Sequence, residues 1–223
     1  TASLGRRSWV PPPQSMTTAS GSMRSTLAPA KRGWSISRSP TDSASGTSSC
    51  TMASCCGVPE GGGGVPGALG CAAIKEQAQA QLPTLGWSDY HGWWLACGTG
   101  TTLAGLVLAE AGAHPVYGAL AVPDDHGVAP QVEAIVQSTG QGAGGYELID
   151  ASRGGFAKVD PVLLEFIEST ERGSGVPLEP LYTGKALLAL KEQVEAGGFE
   201  SGTRLIFVHT GGLQGRRGFI SYS

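Results

Sequence analysis

Ala96-Cys97-Gly98-Thr99-Gly100-Thr101-Thr102-Leu103-Ala104-Gly105 is the stretch on which the reading of the fold depends. The run before it, His91 to Ala96 (HGWWLA), has the look of a short buried strand, and Leu103 to Ala111 after it has that of a helix. A second apolar run, His114 to Val122 (HPVYGALAV), then completes a strand-turn-helix-strand unit. Small residues in the turn let backbone approach a ligand closely, and the hydroxyls of Thr99, Thr101 and Thr102 add donors. The free N–H groups and positive dipole end of the following helix favour an anion such as phosphate. No Lys-Ser/Thr pair follows the glycines, so this is not a Walker loop, and the third glycine of a dinucleotide fingerprint is missing. The competing reading is a plain strand-to-helix turn with an N-cap threonine.

Outward from this unit the alternation continues. Ala68 to Leu82 reads as a helix after the flexible turn Gly61-Gly62-Gly63-Gly64, and Pro83 to Tyr90 as a loop. Gly127 to Gln137 reads as a helix and Gly145 to Ile149 as a short strand. Pro161 to Glu171 is an amphipathic helix with proline at its start, where the missing N–H costs nothing. Lys185 to Ala196 is a further helix, closed by Gly197-Gly198. Thr203 to His209 (TRLIFVH) is a continuous apolar strand, the pattern expected when both sheet faces are covered. Strands alternating with helices predict an α/β fold, a mostly parallel sheet covered by helices.

Composition narrows the function. The 223 residues carry a net charge of −3, which gives no basic field for nucleic acid, and no apolar run is long enough to cross a membrane. Five cysteines, in no metal-ligand spacing, fit a reduced compartment, with the cytoplasm expected, better than a disulfide framework. The −3 hides a seam between a segment of +5, residues 1–57, and a remainder of −8. Residues 1–57 hold fourteen serines, the run Pro11-Pro12-Pro13, and neither helical nor strand periodicity. Three readings stay open there: a disordered tail, an organellar transit peptide, and out-of-frame or mis-spliced translation. Cys50, Cys55 and Cys56 lie in this segment without a histidine or a second spaced pair, so no metal site is expected. The chain begins at Thr1 instead of Met, which is compatible with processing, a fragment or incomplete translation. The expected division is 1–57 as low-complexity sequence and 58–223 as a domain.

Two further stretches bear chemistry. Glu179-Pro180-Leu181-Tyr182-Thr183-Gly184-Lys185 is a loop running into a helix. A tyrosine after a proline-fixed loop presents a ring to a flat ligand and a hydroxyl as acid or base; the competing reading is a half-buried core Tyr182 beside a helix-capping Thr183. His209-Thr210-Gly211-Gly212 ends the most apolar strand, where open α/β sheets bind ligands; the competing reading is a simple strand-ending turn with a satisfied His209.

Taken together, ACGTGTTLAGL, PLEPLYTGKALLAL and LIFVHTGGLQGRRGF, with Val58-Pro59-Glu60-Gly61-Gly62 running into Gly67-Ala68-Leu69-Gly70-Cys71, resemble the 1-aminocyclopropane-1-carboxylate deaminase and D-cysteine desulfhydrase family. The resemblance covers about residues 58–220. It implies part of a fold type II enzyme of the tryptophan-synthase-β kind, dependent on pyridoxal 5'-phosphate and usually a homodimer, acting on a small amino acid. Carried over by position, Cys97, Gly98, Thr99, Gly100, Thr101 and Thr102 would cradle the cofactor phosphate. Tyr182 would lie beside the pyridine ring and take part in proton transfer, and Thr210 would hydrogen-bond the ring nitrogen. Thr183 and Gly211 belong to the same cofactor-binding set. Deaminase members resemble V-Y-E-G and H-L-G-G where this chain has Leu181-Tyr182-Thr183-Gly184 and His209-Thr210-Gly211-Gly212. That choice sides with the desulfhydrase-like branch.

Two departures stand out. Thr101 occupies the place of a usual glycine, and a β-branched residue there would crowd the phosphate if the position needs positive φ. More important, the segment resembling G-N-K-x-R-K that carries the family's Schiff-base lysine is absent, as is the serine-rich Q-S-N-H loop. Lys31 lies in the patternless segment; Lys75 and Lys191 read as exposed helix lysines, Lys158 follows a loop, and Lys185 belongs to the tyrosine motif. The expectation is a lyase or deaminase relative lacking its nucleophile and dead or severely impaired, the alternatives being a non-catalytic module for a phosphate-bearing ligand and an inactive fragment.

Overall fold

The computed structural model describes residues 59–123, 126–140 and 145–219. The readings of residues 1–57 fall outside the described residues. Four strands form one parallel sheet: β1 (Gly92–Cys97), β2 (Val116–Leu120), β3 (Tyr146–Asp150) and β4 (Leu205–Val208), in the order β3-β2-β1-β4. Trp93 pairs with Val116 and Ile206, and Val116 pairs in turn with Tyr146.

The helices divide between the two faces. On one face lie α1 (Val65–Gln81), α2 (Thr101–Glu110) and α3 (Val128–Ser138), packed on Trp93, Leu95 and Cys97 of β1. On the other, α5 (Thr183–Glu195) sets Ala186 and Ala189 against Trp94 and Ala96, and α4 (Pro161–Ser174) packs on α5 through Leu163, Ile167 and Leu188. Successive β1 side chains therefore enter opposite cores, which is why HGWWLA is apolar without alternation. Trp94 also donates its indole N–H to the Ala186 carbonyl (2.8 Å), tying β1 to α5.

Small residues set the helix spacing. A Cβ on Gly105 would lie 2.3 Å from the Ala68 carbonyl oxygen, so α1 and α2 approach as closely as backbone allows. At the far end of β1, Glu110 is buried and accepts from Tyr90, from the Trp93 indole (2.7 Å) and from His114 (2.8 Å), with the Lys75 ammonium at 3.3 Å. Lys75 also donates to the Ala109 carbonyl (2.9 Å). It is thus a tether between α1 and the end of α2, and not the exposed helix lysine expected.

The boundaries follow the sequence reading within a residue or three, with one difference of substance. Thr203 to His209 is expected to be covered on both faces; Ile206 and Val208 do pack on one core and Phe207 on the other, but Leu205–Val208 is only half-buried along its length. It is an edge strand whose one neighbour among the described residues is β1. Among the described strands β1 and β2 are the ones paired along both edges.

Order fixes where a ligand would bind. From β1 the chain crosses by α2 to β2 on one side, whereas β4 arrives on the other side from α5. The carboxyl ends of β1 and β4 therefore flank a topological switch point, the place where open sheets leave a crevice.

Candidate functional site

At the carboxyl end of β1, Gly100 takes φ of +82° and serves as N-cap of α2 without a side-chain cap hydrogen bond. The first-turn N–H groups of α2 are left without helical partners, as at any helix start. The turn Ala96 to Leu103 lines a hollow of about 50 Å³. That is less than two waters' share of liquid volume, about 30 Å³ each, and suits a group no larger than a phosphate. The Thr99 and Thr101 hydroxyls lie 3.2 Å apart, and the Thr102 hydroxyl accepts from the Cys71 thiol (3.7 Å), keeping its own proton to give. Burial pushes the Cys97 thiol up to about 12, so Cys97 is a neutral part of the strand and its side chain is no nucleophile.

The feared crowding at Thr101 does not arise. Positive φ falls on Gly100, while Thr101 opens α2 with ordinary helical geometry. Over this turn folds the loop Pro59 to Gly64, where Gly61 and Gly62 have φ of +64° and +68°. A Cβ on Gly61 would sit 2.5 Å from the Thr99 hydroxyl oxygen, so only glycine lets the two loops meet.

Tyr182 joins them from the other face of the sheet. A Cβ on Gly98 would lie 3.1 Å from its Cε1, which puts the ring against the glycine turn. Phe156 meets the ring edge-on, centroids 5.4 Å apart. Burial, then the carboxylates of Glu179 and Glu60, raise the Tyr182 phenol above its ordinary value. Tyr182 therefore stands protonated at neutral pH, as a proton donor.

Thr183 is expected in the cofactor-binding set, with a helix cap as the competing reading; the structure gives the capping to Glu179. The Glu179 carboxylate is fully buried and accepts from Leu181 N (2.7 Å), Tyr182 N (2.8 Å) and Thr183 N (2.6 Å). Thr183 is the first residue of α5, fully buried, its hydroxyl between Glu179 N and Glu179 Oε1, at 3.1 Å from each. It supports Tyr182 from behind and is enclosed away from the glycine turn.

The third motif closes over the second. His209 accepts from Gly211 N at Nδ1 (3.1 Å), so Nε2 carries the proton and donates to the Pro177 carbonyl (2.8 Å). Gly212 and Gly215 lie against the Glu179 side chain, and Arg216 grips Glu171 with two bonds of 2.7 and 3.0 Å. Thr210 is exposed just past β4 and Gly211 has φ of +88°. Glu60, Gly98 to Thr102 and Tyr182 are thus gathered at one end of the sheet, with Thr210 and Gly211 on the adjoining loop.

The lysines of the described residues are engaged elsewhere or turned outward. Lys75 serves Glu110, Lys191 pairs with Glu195 (2.6 Å) and is less exposed than expected, and Lys158 is on the surface. Lys185, 1% exposed, donates to the carbonyls of Ser152 (2.7 Å), Gly155 (2.7 Å) and Phe156 (2.9 Å). A roomier cavity, about 250 Å³, adjoins it between Asp150, Arg153, Asp160 and Glu192. Its walls are ion-paired to one another (Arg153 with Asp160 and Glu192), and none of the expected ligand residues lines it. The smaller hollow at the glycine turn is the better candidate site. Among the described residues no cluster of His, Cys, Asp or Glu is fit to hold a metal, and no helix is long and apolar enough to cross a membrane.

Fold and site together define an open, parallel α/β domain with an anion-sized glycine turn and a tyrosine at its switch point. No protein-family model matches the chain. It is 30% identical over 167 residues to a putative 1-aminocyclopropane-1-carboxylate deaminase of Pyrococcus furiosus, covering 71% of this chain and 50% of that protein. It is 28% identical over 173 residues to a mitochondrial bifunctional D-cysteine desulfhydrase/1-aminocyclopropane-1-carboxylate deaminase of Arabidopsis thaliana, covering 71% and 41%. A crystal structure of a homologue of the same deaminase superposes with a TM-score of 0.61 at 26% identity, covering 71% of this chain and 50% of that one. The chain spans about half the length of the curated relatives it matches. Sequence and fold place the described part of the chain in the 1-aminocyclopropane-1-carboxylate deaminase/D-cysteine desulfhydrase family.

Proposed function

We propose that the chain is the C-terminal portion of a pyridoxal-phosphate-dependent amino-acid lyase or deaminase, nearest to D-cysteine desulfhydrase, and that it lacks the lysine needed for turnover. The observation that carries the reading is the convergence of an anion-sized hollow and a protonated Tyr182 at Gly98, at the carboxyl end of the central strand. The residues fit the cofactor's phosphate. The α2 N-terminus supplies N–H donors, and Thr99 and Thr102 supply hydroxyls around the hollow. Bound pyridoxal phosphate supplies an electron sink for charge developing at an amino acid's α-carbon. Tyr182 holds its proton on Oη and, in the whole enzyme, would give it to the departing or rebuilding centre of the substrate. Thr210, a neutral hydroxyl, would serve the ring nitrogen without charging it. Glu179 and Thr183 keep the Tyr182 loop in place, and Glu60 faces the phenol from the first loop.

In the whole enzyme the reaction would be elimination of the β-thiol of D-cysteine to pyruvate, sulfide and ammonia, in a homodimer. Opening of 1-aminocyclopropane-1-carboxylate is the alternative substrate chemistry. A second reading, a non-catalytic holder of a phosphate-bearing ligand or an inactive fragment, is favoured by one observation: the four lysines of the described residues are engaged or outward-facing.

Spectral titration with pyridoxal phosphate and with pyridoxal, followed by borohydride reduction and mass spectrometry, tests the proposal. Reversible binding that needs the phosphate, with no stoichiometric adduct, is expected. An adduct on any one lysine overturns the claim of inactivity; equal affinity for the two ligands overturns the phosphate site.

A further inference from the structure

Lys185 is the one lysine of the described residues whose charge is wholly enclosed, and its three acceptors are carbonyls of a single loop. That loop, Ser152 to Phe156, has no helix or strand of its own. Arg153 and Gly154 stand at φ of +54° and +83° and Gly155 at +156°. A non-glycine residue in the left-handed region costs about 1–2 kcal/mol, so the conformation persists only because something outside the loop imposes it. Arg153 is paired to Asp160 and Glu192, and Ser152 N donates to Asp150, but the residues toward Phe156 are held by the Lys185 ammonium: three converging carbonyls answer its three protons, and hydrogen bonds to a charged donor are the strong kind. At the end of the loop, Phe156 reaches Tyr182, with the two rings at 60°. Tyr182 itself precedes Lys185 by three residues at the start of the same helix. The lysine, the loop and the two rings close a circle.

We propose that Lys185 is the positioning residue of the Tyr182 ring: by fixing the backbone of Ser152 to Phe156 it holds Phe156 edge-on against the tyrosine. The importance of the ring's position rests on the cofactor reading above; the mechanical link does not. Phe156 is 38% exposed, too open to be held by burial alone, so its backbone anchor decides where it stands. An edge-to-face pair of this spacing contributes beyond its buried area.

The test uses the cofactor-free chain labelled with 13C-tyrosine, the Tyr182 signal being assigned by Tyr182→Phe. Lys185→Met is expected to move that signal and abolish the Phe156–Tyr182 cross-peak. Phe156→Leu is expected to move it in the same direction, and Lys185→Met to add nothing on the Phe156→Leu background. In parallel, the dissociation constant for pyridoxal phosphate rises roughly twofold to tenfold in either single variant and no further in the double. A Tyr182 signal that stays in place in Phe156→Leu overturns the proposal, and so does one that stays in place in Lys185→Met or, where that variant does not fold, in Lys185→Gln. So does a Lys185→Met effect of full size in the absence of Phe156. If the parent chain shows no phosphate-dependent binding while the Tyr182 signals respond as expected, the cofactor reading fails and this one is supported.

Discussion

Glu179→Gln tests how the tyrosine loop is held. Oε1 of the buried carboxylate takes Tyr182 N, Thr183 N and the Thr183 hydroxyl, and Oε2 takes Leu181 N. A glutamine amide offers one oxygen. The orientation that keeps the Oε1 bonds turns the NH₂ group toward Leu181 N–H, donor against donor. One hydrogen bond to a charged acceptor, about 1.5–3 kcal/mol, is lost. So is a negative charge at the start of α5, worth about 0.3–1 kcal/mol. Removing a buried charge returns part of its desolvation cost. The net expected loss is about 2 kcal/mol, which at a urea slope of about 2 kcal/mol/M lowers the unfolding midpoint by roughly 1 M. A second readout follows from charge. The Glu179 carboxylate is one of the groups that raise the Tyr182 phenol, so in the variant Tyr182 ionises at lower pH. Urea denaturation followed by tryptophan fluorescence and an alkaline ultraviolet titration make the two measurements. A midpoint within about 0.2 M of the parent, together with an unmoved Tyr182 titration, would refute the assignment of Glu179 as the cap of α5.

The two glycines of the anion turn separate strain from site. In Gly100→Ala the new Cβ meets Val132 Cγ2 at 2.5 Å and φ is +82°, so a loss of about 2–4 kcal/mol is expected in the same urea assay. Gly98→Ala has ordinary φ and meets only the Tyr182 ring at 3.1 Å; it should cost under about 1 kcal/mol yet weaken pyridoxal phosphate several-fold, read by spectral titration. Gly105→Ala, aimed at the Ala68 carbonyl at 2.3 Å, is expected to cost about 1–3 kcal/mol with the turn itself intact. Glu110 gives the pH dependence. Burial opposes its charge, but bonds from Tyr90, Trp93 and His114 and the Lys75 ammonium outweigh burial and hold its carboxyl below the ordinary value of 4.5. Its stabilisation is therefore complete above about pH 4.5 and is lost as pH falls through the lower folded value. Thermal melts from neutral pH to about pH 3 should show this loss, and Glu110→Gln, already less stable at neutral pH, should show a flatter acid limb.

What the sequence made legible was whatever depends on which face a side chain takes. The Trp-Trp pair of β1, the apolar helices and the glycine-threonine turn are periodic or positional signals, and each element lies where its pattern put it within a few residues. What depends on which element lies alongside was not legible. Leu205 to Val208 is as apolar as a central strand, yet its neighbours make it an edge. Lys75 sits on the polar-looking side of α1, and only the end of α2 turns it into a partner for Glu110. Glu179 is the sharpest case. A glutamate before proline in a loop reads as solvated, and its burial follows from the return of the chain that brings its carboxylate over the start of α5. A signal was available, since acids gather just ahead of helix starts. Lys185 carried a fainter one, three and four residues before Leu188 and Ala189 on a buried face. A charge found on the apolar stripe of a helix must either reach water or find acceptors inside. Here it finds three carbonyls of a loop more than twenty-five residues upstream. Those two buried charges, one on each side of Tyr182, are the ones that hold the ring-bearing loop to the rest of the fold. The residues hardest to read were thus those that set the geometry of the residues easiest to read.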